Sequence, residues 1–199
     1  MAAPDQTREE PFGPGMDGLH DWMGKQQWVK DNHGWGEGGG TGPSNDVIRE
    51  AQSGYGACIM GRNMFGPIRG EWPDSDPWNG WWGENPPYHC PVFVLTHHAR
   101  EPQVMEGGTT YYFVTDGIES ALAQARAVCP EDRDILINGG AQTINQYLKA
   151  GHVDEFWLHV VPFTRGEGED PLAGLNLRLE QLSSLDGGDV THLKYRVLK

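Results

Sequence analysis

The chain has 199 residues, enough for one domain with a sizeable core and too few for two domains of ordinary size. Acidic residues number 28 against 15 basic ones, so the surface repels polyanions, and no nucleic-acid partner is expected. We predict a cytoplasmic protein with reduced thiols and no membrane association, because there is no long apolar run, no signal segment and no C-x-x-C pair.

The first third of the chain is rich in glycine and proline and predicts little regular structure. Residues 1–16 are expected to form irregular coil, followed by a short helix around Trp22. Residues 34–43 form a glycine tract, which is either a mobile loop beside a site or a solvated linker. Ser44 is the predicted N-cap of the next helix, and Gly54 follows its end.

The first junction with functional interest comes after the apolar residues 57–60, which predict a buried strand. This strand runs into Gly61 and Arg62, where a short helix is expected to begin. A glycine turn at the start of a helix leaves unpaired backbone N–H groups and the positive end of the helix dipole facing outward. The pattern therefore suits a phosphate, and Arg62 adds a cation.

A segment rich in tryptophan, proline and glycine follows and cannot form a regular helix or a central strand. Its tryptophans have two possible roles: they wall a pocket or an interface, or they fold over the core. The tryptophans of this segment are Trp72, Trp78, Trp81 and Trp82.

A second junction follows the predicted strand 92–95, where Thr96, His97, His98 and Arg100 come together. Clustered cations at the end of a strand suit a phosphate. The competing hypothesis, a metal hydrolase that also uses His89 and Cys90, is disfavoured because adjacent histidines on an extended chain point to opposite faces. No metal site is predicted.

The next elements continue the alternation of strand and helix. Residues 111–114 predict a strand, and Asp116 with Glu119 resembles a capping box at the start of a helix. Residues 135–137 then predict a strand that is buried on both faces, and Gly139 and Gly140 form the third junction.

The helix after the third junction has a core-facing stripe and is expected to end at a left-handed Gly151. Residues 156–161 predict a second buried strand, in which His159 is expected to be a core histidine. Strands that alternate with helices indicate a largely parallel sheet. Past residue 168, two alternating segments around residues 186–189 predict an antiparallel hairpin at the edge of the sheet.

Taken in order, these motifs resemble the dihydrofolate-reductase-like family that includes the RibD C-terminal domain, the reductase domain of bacterial riboflavin biosynthesis. The resemblance covers nearly the whole chain and implies an α/β, three-layer, dihydrofolate-reductase-like domain over residues 1–199, with a mostly parallel central sheet and a C-terminal antiparallel hairpin. The motifs are Ile-Met-Gly-Arg-Asn-Met-Phe at 59–65, Val-Phe-Val-Leu-Thr-His-His at 92–98, Asn-Gly-Gly-Ala at 138–141, Ala-Gly-His-Val-Asp-Glu at 150–155, Pro162 and Gly-Glu-Gly at 166–168.

The resemblance implies NADPH as the cofactor, with its adenosine end and 2'-phosphate at the first two junctions and its pyrophosphate at the third. The implied cofactor-binding residues are Gly61, Arg62, Asn63, Met64, Thr96, His97, Arg100, Gly139, Gly140, Ala141 and Gln142. It also implies a homodimer and hydride transfer to a small heterocyclic substrate, such as a pterin or pyrimidine. The alternative is a non-catalytic member of the same fold that binds a nucleotide or dimerises.

The sequence leaves two features of the site open. Asp46 is a candidate catalytic acid, but an acid near a helix N-terminus also has a purely structural explanation. In addition, members of the family begin with a strand that leads to a Ser-Leu-Asp-Gly-like turn, whereas this chain begins with Ala-Ala-Pro-Asp at residues 2–5. We therefore expect the domain to lack the family's first strand and the genuine start to lie upstream.

Overall fold

The computed structural model of the protein describes residues 7–9, 18–75, 78–164, 166 and 168–199. Apart from residues 7–9, the coil predicted for residues 1–16 lies outside this part of the chain. The described helices are α1 (Asp21–Gly24), α2 (Gln27–His33), α3 (Pro43–Ala51), α4 (Arg62–Phe65), α5 (Ile118–Val128) and α6 (Ala141–Lys149). The described strands are β1 (Tyr55–Gly61), β2 (Pro91–Leu95), β3 (Gln103–Val104), β4 (Thr110–Val114), β5 (Asp134–Gly139), β6 (Glu155–Val160), β7 (Arg178–Asp186) and β8 (Thr191–Leu198).

These elements belong to two compact units of the chain. Unit 1 contains Gly54–Gln146 and Glu169–Ala173, together with the described residues 7–9. Unit 2 contains Gly15–Ser53, Tyr147–Gly168 and Gly174–Lys199. The prediction of a single domain over residues 1–199 stays a prediction.

Unit 1 is built on a five-stranded sheet in the order β3-β4-β2-β1-β5. β4, β2, β1 and β5 are parallel, and only the short β3 runs antiparallel to its neighbour β4. Helix α5 packs on β1 and β2 with Ala121, Leu122 and Ala125 buried, as its apolar stripe predicts. The predicted alternation of parallel strands and helices is therefore confirmed in this unit.

The core of unit 1 lies on the sheet around Met60, Val94 and Tyr111. The described part of residues 66–90 contains neither helix nor strand, in agreement with its proline and glycine content. Trp72 and Trp78 of this segment pack against the core cluster and are themselves half-buried. For these two tryptophans the structure thus favours a cover over the core.

Unit 2 combines the three N-terminal helices with a three-stranded antiparallel sheet in the order β6-β8-β7. β7 and β8 form the antiparallel hairpin that the sequence predicts, but the predicted position at the edge of the parallel sheet is wrong, because the hairpin pairs with β6 in this separate sheet. Trp22 is buried in the apolar core of this unit and lies against the imidazoles of His159 and His192, with ring centroids 4.9 and 5.0 Å away. His159 is half-buried and lies within hydrogen-bond distance of His192, with 2.9 Å between the two Nδ1 atoms, so it is a partnered histidine beside this core, close to the expectation.

Two predictions about the strands are wrong. Ile135 and Ile137 are only partly buried, because β5 is an edge strand among the described residues and lacks a neighbour on one side. Residues 156–160 belong to β6, which is only partly buried and pairs antiparallel with β8 rather than joining the parallel sheet. An apolar run predicts a strand, but it does not specify the partner of that strand.

The predicted helix caps also need correction. α3 begins after Gly42, and Ser44 lies in its first turn, where its hydroxyl bonds His192 Nε2 at 2.9 Å. α5 begins after Gly117 without a side-chain cap from Asp116. The predicted end of α6 is confirmed, because Gly151 has a left-handed φ of 73°.

Candidate functional site

The three junctions predicted from the sequence come together at one edge of the unit 1 sheet. β2, β1 and β5 are adjacent and parallel, so their carboxyl ends lie side by side. In the register, Gly61 pairs with Leu95, and Met60 pairs with Gly139. Arg62, Thr96 and Gly140 therefore each follow the end of a neighbouring strand, in the position where open α/β sheets bind their ligands.

The glycines at this edge allow helix α6 to start close to the sheet. Gly139 has a φ of 115°, which favours glycine, and its peptide bond to Gly140 is cis. A Cβ at Gly61 would collide with Thr143 Oγ1 in the first turn of α6, whereas a Cβ at Gly140 would meet no other atom within 4 Å. The backbone at Gly140 is thus open to a ligand, next to the N-terminal amides of a helix of nine residues.

The guanidinium of Arg62 is the most distinctive group in the site. Its Cζ atom lies 3.7 Å from the ring centroid of Trp72, and Nη1 donates to Thr96 Oγ1 at 3.3 Å. Nε and Nη2 are buried, and neither has a hydrogen-bond partner among the described residues. Burial, together with the nearby Arg69 and Arg100, lowers the pKa of Arg62, but an arginine in a protein keeps its charge.

The turn after β2 is held by a small set of polar contacts. Thr96 Oγ1 accepts a hydrogen bond from the backbone N–H of His98 at 3.2 Å. The carbonyl of His98 accepts a second bond from Trp72 Nε1 at 2.9 Å, and His98 Nδ1 lies 2.9 Å from Glu71 Oε1. Trp72 therefore contacts both the turn after β1 and the turn after β2.

Further positive charge surrounds Arg62. Arg100 Cζ lies 5.1 Å from the ring centroid of Trp72, and its Nη1 donates to the carbonyl of Trp78 at 2.7 Å. Arg69 is close enough to lower the pKa of Arg62, and its own Nη1 donates to the carbonyl of Gly66 at 2.9 Å. In a chain with a net charge of −13, these arginines form a local positive region that attracts an anion.

Comparison with known protein families identifies a family that matches most of this chain. The family model of the RibD C-terminal domain matches residues 15–193. The chain belongs to the RibD C-terminal domain family. The resemblance proposed from the sequence motifs is thereby confirmed. A comparison with curated protein sequences gives no match.

Solved structures show the same fold in other members of this group. A Shewanella sp. PV-4 protein, described as a candidate riboflavin biosynthesis protein, aligns at 22% identity over 79% of this chain and 84% of its own, with a TM-score of 0.55. RibD of Acinetobacter baumannii aligns at 16% identity over 76% of this chain and 49% of its own, with a TM-score of 0.51.

A third structure is the Thermotoga maritima diaminohydroxyphosphoribosylaminopyrimidine deaminase/5-amino-6-(5-phosphoribosylamino)uracil reductase. It aligns at 14% identity over 79% of this chain and 50% of its own, with a TM-score of 0.50. The chain thus spans about half the length of the A. baumannii and T. maritima proteins. At these identities the likeness establishes the fold, a mixed α/β structure with a mostly parallel central sheet and an antiparallel hairpin.

The other predicted cofactor-binding residues of this RibD C-terminal domain differ in exposure. Asn63 in α4, His97 in the turn after β2 and Gln142 in the first turn of α6 are all exposed. Met64 packs partly buried against the core, and Ala141 is buried at the start of α6. The backbone of these two residues is therefore the part that can face a ligand, and their cofactor contacts stay predictions.

Asp46, the candidate catalytic acid, lies in unit 2. Its carboxylate is exposed in the first turn of α3 and accepts a hydrogen bond from Arg49 Nη2 at 3.0 Å. This ion pair and the position at a helix N-terminus supply a structural explanation. Its catalytic role stays a prediction.

We also searched the described residues for a metal-binding group and for a membrane-spanning helix. No group of three or more His, Cys, Asp or Glu among them is arranged to hold a metal ion. No helix among them is long and apolar enough to cross a membrane.

The sequence patterns did not reveal the residues that support Arg62. Trp72 and Arg69 follow the first junction within a segment that has no helical or strand periodicity, so no pattern places their side chains. The only available signal was the unusual density of tryptophan in a loop of an acidic chain, and this signal does not distinguish Trp72 from Trp78.

Proposed function

We propose that this chain is an NADPH-dependent reductase that transfers a hydride to a small heterocyclic substrate of the pterin or pyrimidine type. One observation carries the proposal: the Nε and Nη2 atoms of Arg62 are buried without a partner among the described residues, beside the open turn at Gly140. An unpaired buried donor is costly, at about 1–3 kcal/mol and more for a charged group. A phosphate that accepts from both atoms would remove this cost.

The geometry of Arg62 fits a phosphate better than a neutral ligand. Nε and Nη2 form one edge of the guanidinium, and such an edge binds phosphate or carboxylate through two parallel hydrogen bonds. Because Nη1 is already bonded to Thr96, the unpaired edge is set in one orientation. The two donor atoms are shielded from solvent, so a phosphate would reach them only after a local movement of the atoms around them.

A dinucleotide has a second phosphate group that the same sheet edge can accept. The turn at Gly139 and Gly140 and the first amides of α6 would hold the pyrophosphate, while Arg62 and the turn at Thr96 would hold the 2'-phosphate. The cofactor, when bound, supplies the hydride. The role of the chain is to bind it, orient it and keep the charged groups at the sheet edge away from bulk water.

Family membership supports the reaction class. RibD C-terminal domains include the reductase half of riboflavin biosynthesis, and the T. maritima relative carries a uracil reductase in its name. That substrate is an aminopyrimidine, which favours a flat, nitrogen-rich acceptor for this chain. The predicted homodimer and cytoplasmic location stay predictions.

Titration of NADPH while the tryptophan fluorescence is followed tests cofactor binding. We expect a saturable change, because Trp72 lies on Arg62. The absence of binding at millimolar NADPH would overturn the proposal. Binding without oxidation of NADPH across a panel of pterins, flavin precursors and pyrimidines would favour the non-catalytic alternative, in which the fold serves only as a nucleotide-binding module.

A further inference from the structure

We propose that Trp72 is the residue that gives the site its preference for a phosphate monoester, because it fixes the orientation of the Arg62 guanidinium and of its unpaired Nε–Nη2 edge. The inference rests on the proposed function, since it assigns the role of Arg62 in NADPH recognition to a second residue. Trp72 acts through Arg62, so it is a positioning residue.

The contact between Trp72 and Arg62 is the shortest cation–π contact described in the structure. The guanidinium carbon lies 3.7 Å from the centroid of the Trp72 ring, which is stacking distance. One face of the guanidinium is therefore covered by the indole, and its Nη1 is bonded to Thr96. The edge formed by Nε and Nη2 has no hydrogen-bond partner among the described residues.

The indole of Trp72 is itself held from several sides. Its Nε1 donates to the carbonyl of His98 at 2.9 Å. Its ring packs edge-on against Phe65 and Phe113, with centroids 6.0 and 5.2 Å away. An aromatic side chain has only two rotatable bonds, so these contacts are enough to hold it in one orientation. Trp72 thus provides a rigid support for a long, flexible arginine side chain.

This support has a consequence for ligand choice. A guanidinium with both faces free can stack on a flat base and so bind a nucleotide through its adenine, with or without a 2'-phosphate. With one face covered by Trp72, only the other face remains for stacking on a base, whereas the fixed Nε–Nη2 edge can donate two bonds to a phosphate monoester, which a hydroxyl cannot replace. Trp72 should therefore affect NADPH more than NADH.

The chain supplies a matched control for this role. Trp78 belongs to the same segment, packs against the same core and donates Nε1 to the carbonyl of Phe65 at 2.9 Å. Its loss removes the same ring and the same kind of hydrogen bond, but among the described side chains the cation over the Trp78 ring is Arg8, 5.3 Å from the centroid, and Arg62 lies over Trp72 instead. An effect that is shared by substitutions of Trp72 and Trp78 is therefore due to lost packing and not to lost contact with Arg62.

The test measures the dissociation constants of NADPH and NADH for Trp72→Leu and Trp78→Leu by calorimetry. We expect Trp72→Leu to reduce the NADPH preference about tenfold, while Trp78→Leu lowers the melting temperature but keeps the preference. Trp72→Phe, which keeps a ring face without the N–H donor, should fall between wild type and Trp72→Leu. If Trp72→Leu fails to fold, Trp72→Phe decides in its place.

An unchanged preference in Trp72→Leu, or an equal change in both leucine variants, would overturn the inference. If Trp72→Leu does not fold, a preference of Trp72→Phe for NADPH over NADH equal to that of wild type would overturn the inference. Failure of the proposed function is seen separately: an Arg62→Met protein would then bind NADPH as tightly as wild type, or the wild-type protein would not bind NADPH at all.

Discussion

Replacement of Arg62 by methionine tests the central assignment most directly. Methionine keeps an unbranched apolar stem that can pack against Trp72, but it removes the charge and all the hydrogen-bond donors. Each hydrogen bond to a charged group contributes about 1.5–3 kcal/mol, so the loss of the two bonds from Nε and Nη2 should cost at least about 3 kcal/mol of NADPH binding. This corresponds to an increase in the dissociation constant of roughly 150-fold.

The stability of the protein should respond differently. The variant loses the bond from the charged Arg62 to Thr96, about 1.5 kcal/mol at its length of 3.3 Å, and the stacking on Trp72, about 1–2 kcal/mol. It also loses two buried donors that have no partner among the described residues, which returns a similar amount. We therefore expect a free energy of unfolding within about 1 kcal/mol of wild type, measured by urea denaturation.

Calorimetric titration with NADPH and with NADH separates the 2'-phosphate contact from a general effect of charge. NADH lacks this phosphate, so its dissociation constant should change much less. Arg69→Met is the control, because it removes one charge from the same region while leaving the Arg62 edge in place. An equal loss of affinity for both cofactors in Arg62→Met, or an equal loss in the two variants, would refute the reasoning.

Three further predictions concern stability. Gly61→Ala should destabilise the protein by about 1–3 kcal/mol in urea unfolding, because the new Cβ collides with Thr143 Oγ1. Ser44→Ala should cost about 1–2 kcal/mol, and most of this cost should vanish in a His192→Leu background, where the bond partner is already absent. Burial and the nearby His192 lower the pKa of His159 to about 4, below the usual 6.5 of the unfolded chain. The unfolded chain therefore binds the proton first, so the free energy of unfolding should fall by roughly 2–3 kcal/mol between pH 6.5 and pH 4, and by less in His159→Gln.

Each of these has a clear contrary result. Wild-type stability in Gly61→Ala would mean that α6 is not packed tightly against the end of β1. An undiminished cost of Ser44→Ala beside His192→Leu would restore Ser44 as a helix cap. The same acid dependence in wild type and in His159→Gln would assign the loss of stability to other groups.

Local patterns predicted most elements of unit 1. The apolar runs at 57–60, 92–95 and 111–114 all became strands, because a parallel strand covered on both faces needs apolar residues at every position. The glycines after β1 and β5 were also informative, since their role depends on the backbone and hardly on distant residues. From these signals alone the meeting of three strand ends could be predicted.

The same local patterns did not predict which strands pair with each other. Residues 156–161 have the composition of a buried parallel strand, yet β6 joins β8 in an antiparallel sheet. The predicted cap at Ser44 was wrong for a related reason. Serine has the chemistry of an N-cap, but the hydroxyl of Ser44 is hydrogen-bonded to His192 of β8, which is distant in sequence. In both cases a long-range contact outweighed a local preference.

The sequence by itself thus determined the order of strands and glycine turns, the family and the presence of cations at the strand ends, because each of these follows from neighbouring residues. Only the tertiary structure decided which cation is buried, which edge of it is unpaired and which tryptophan holds it. Arg62 and Trp72 are joined by a segment without periodicity, and the stacking of their side chains depends on the packing of that segment against β2 and β4. Such a contact is a property of the folded core and leaves no regular trace in the chain.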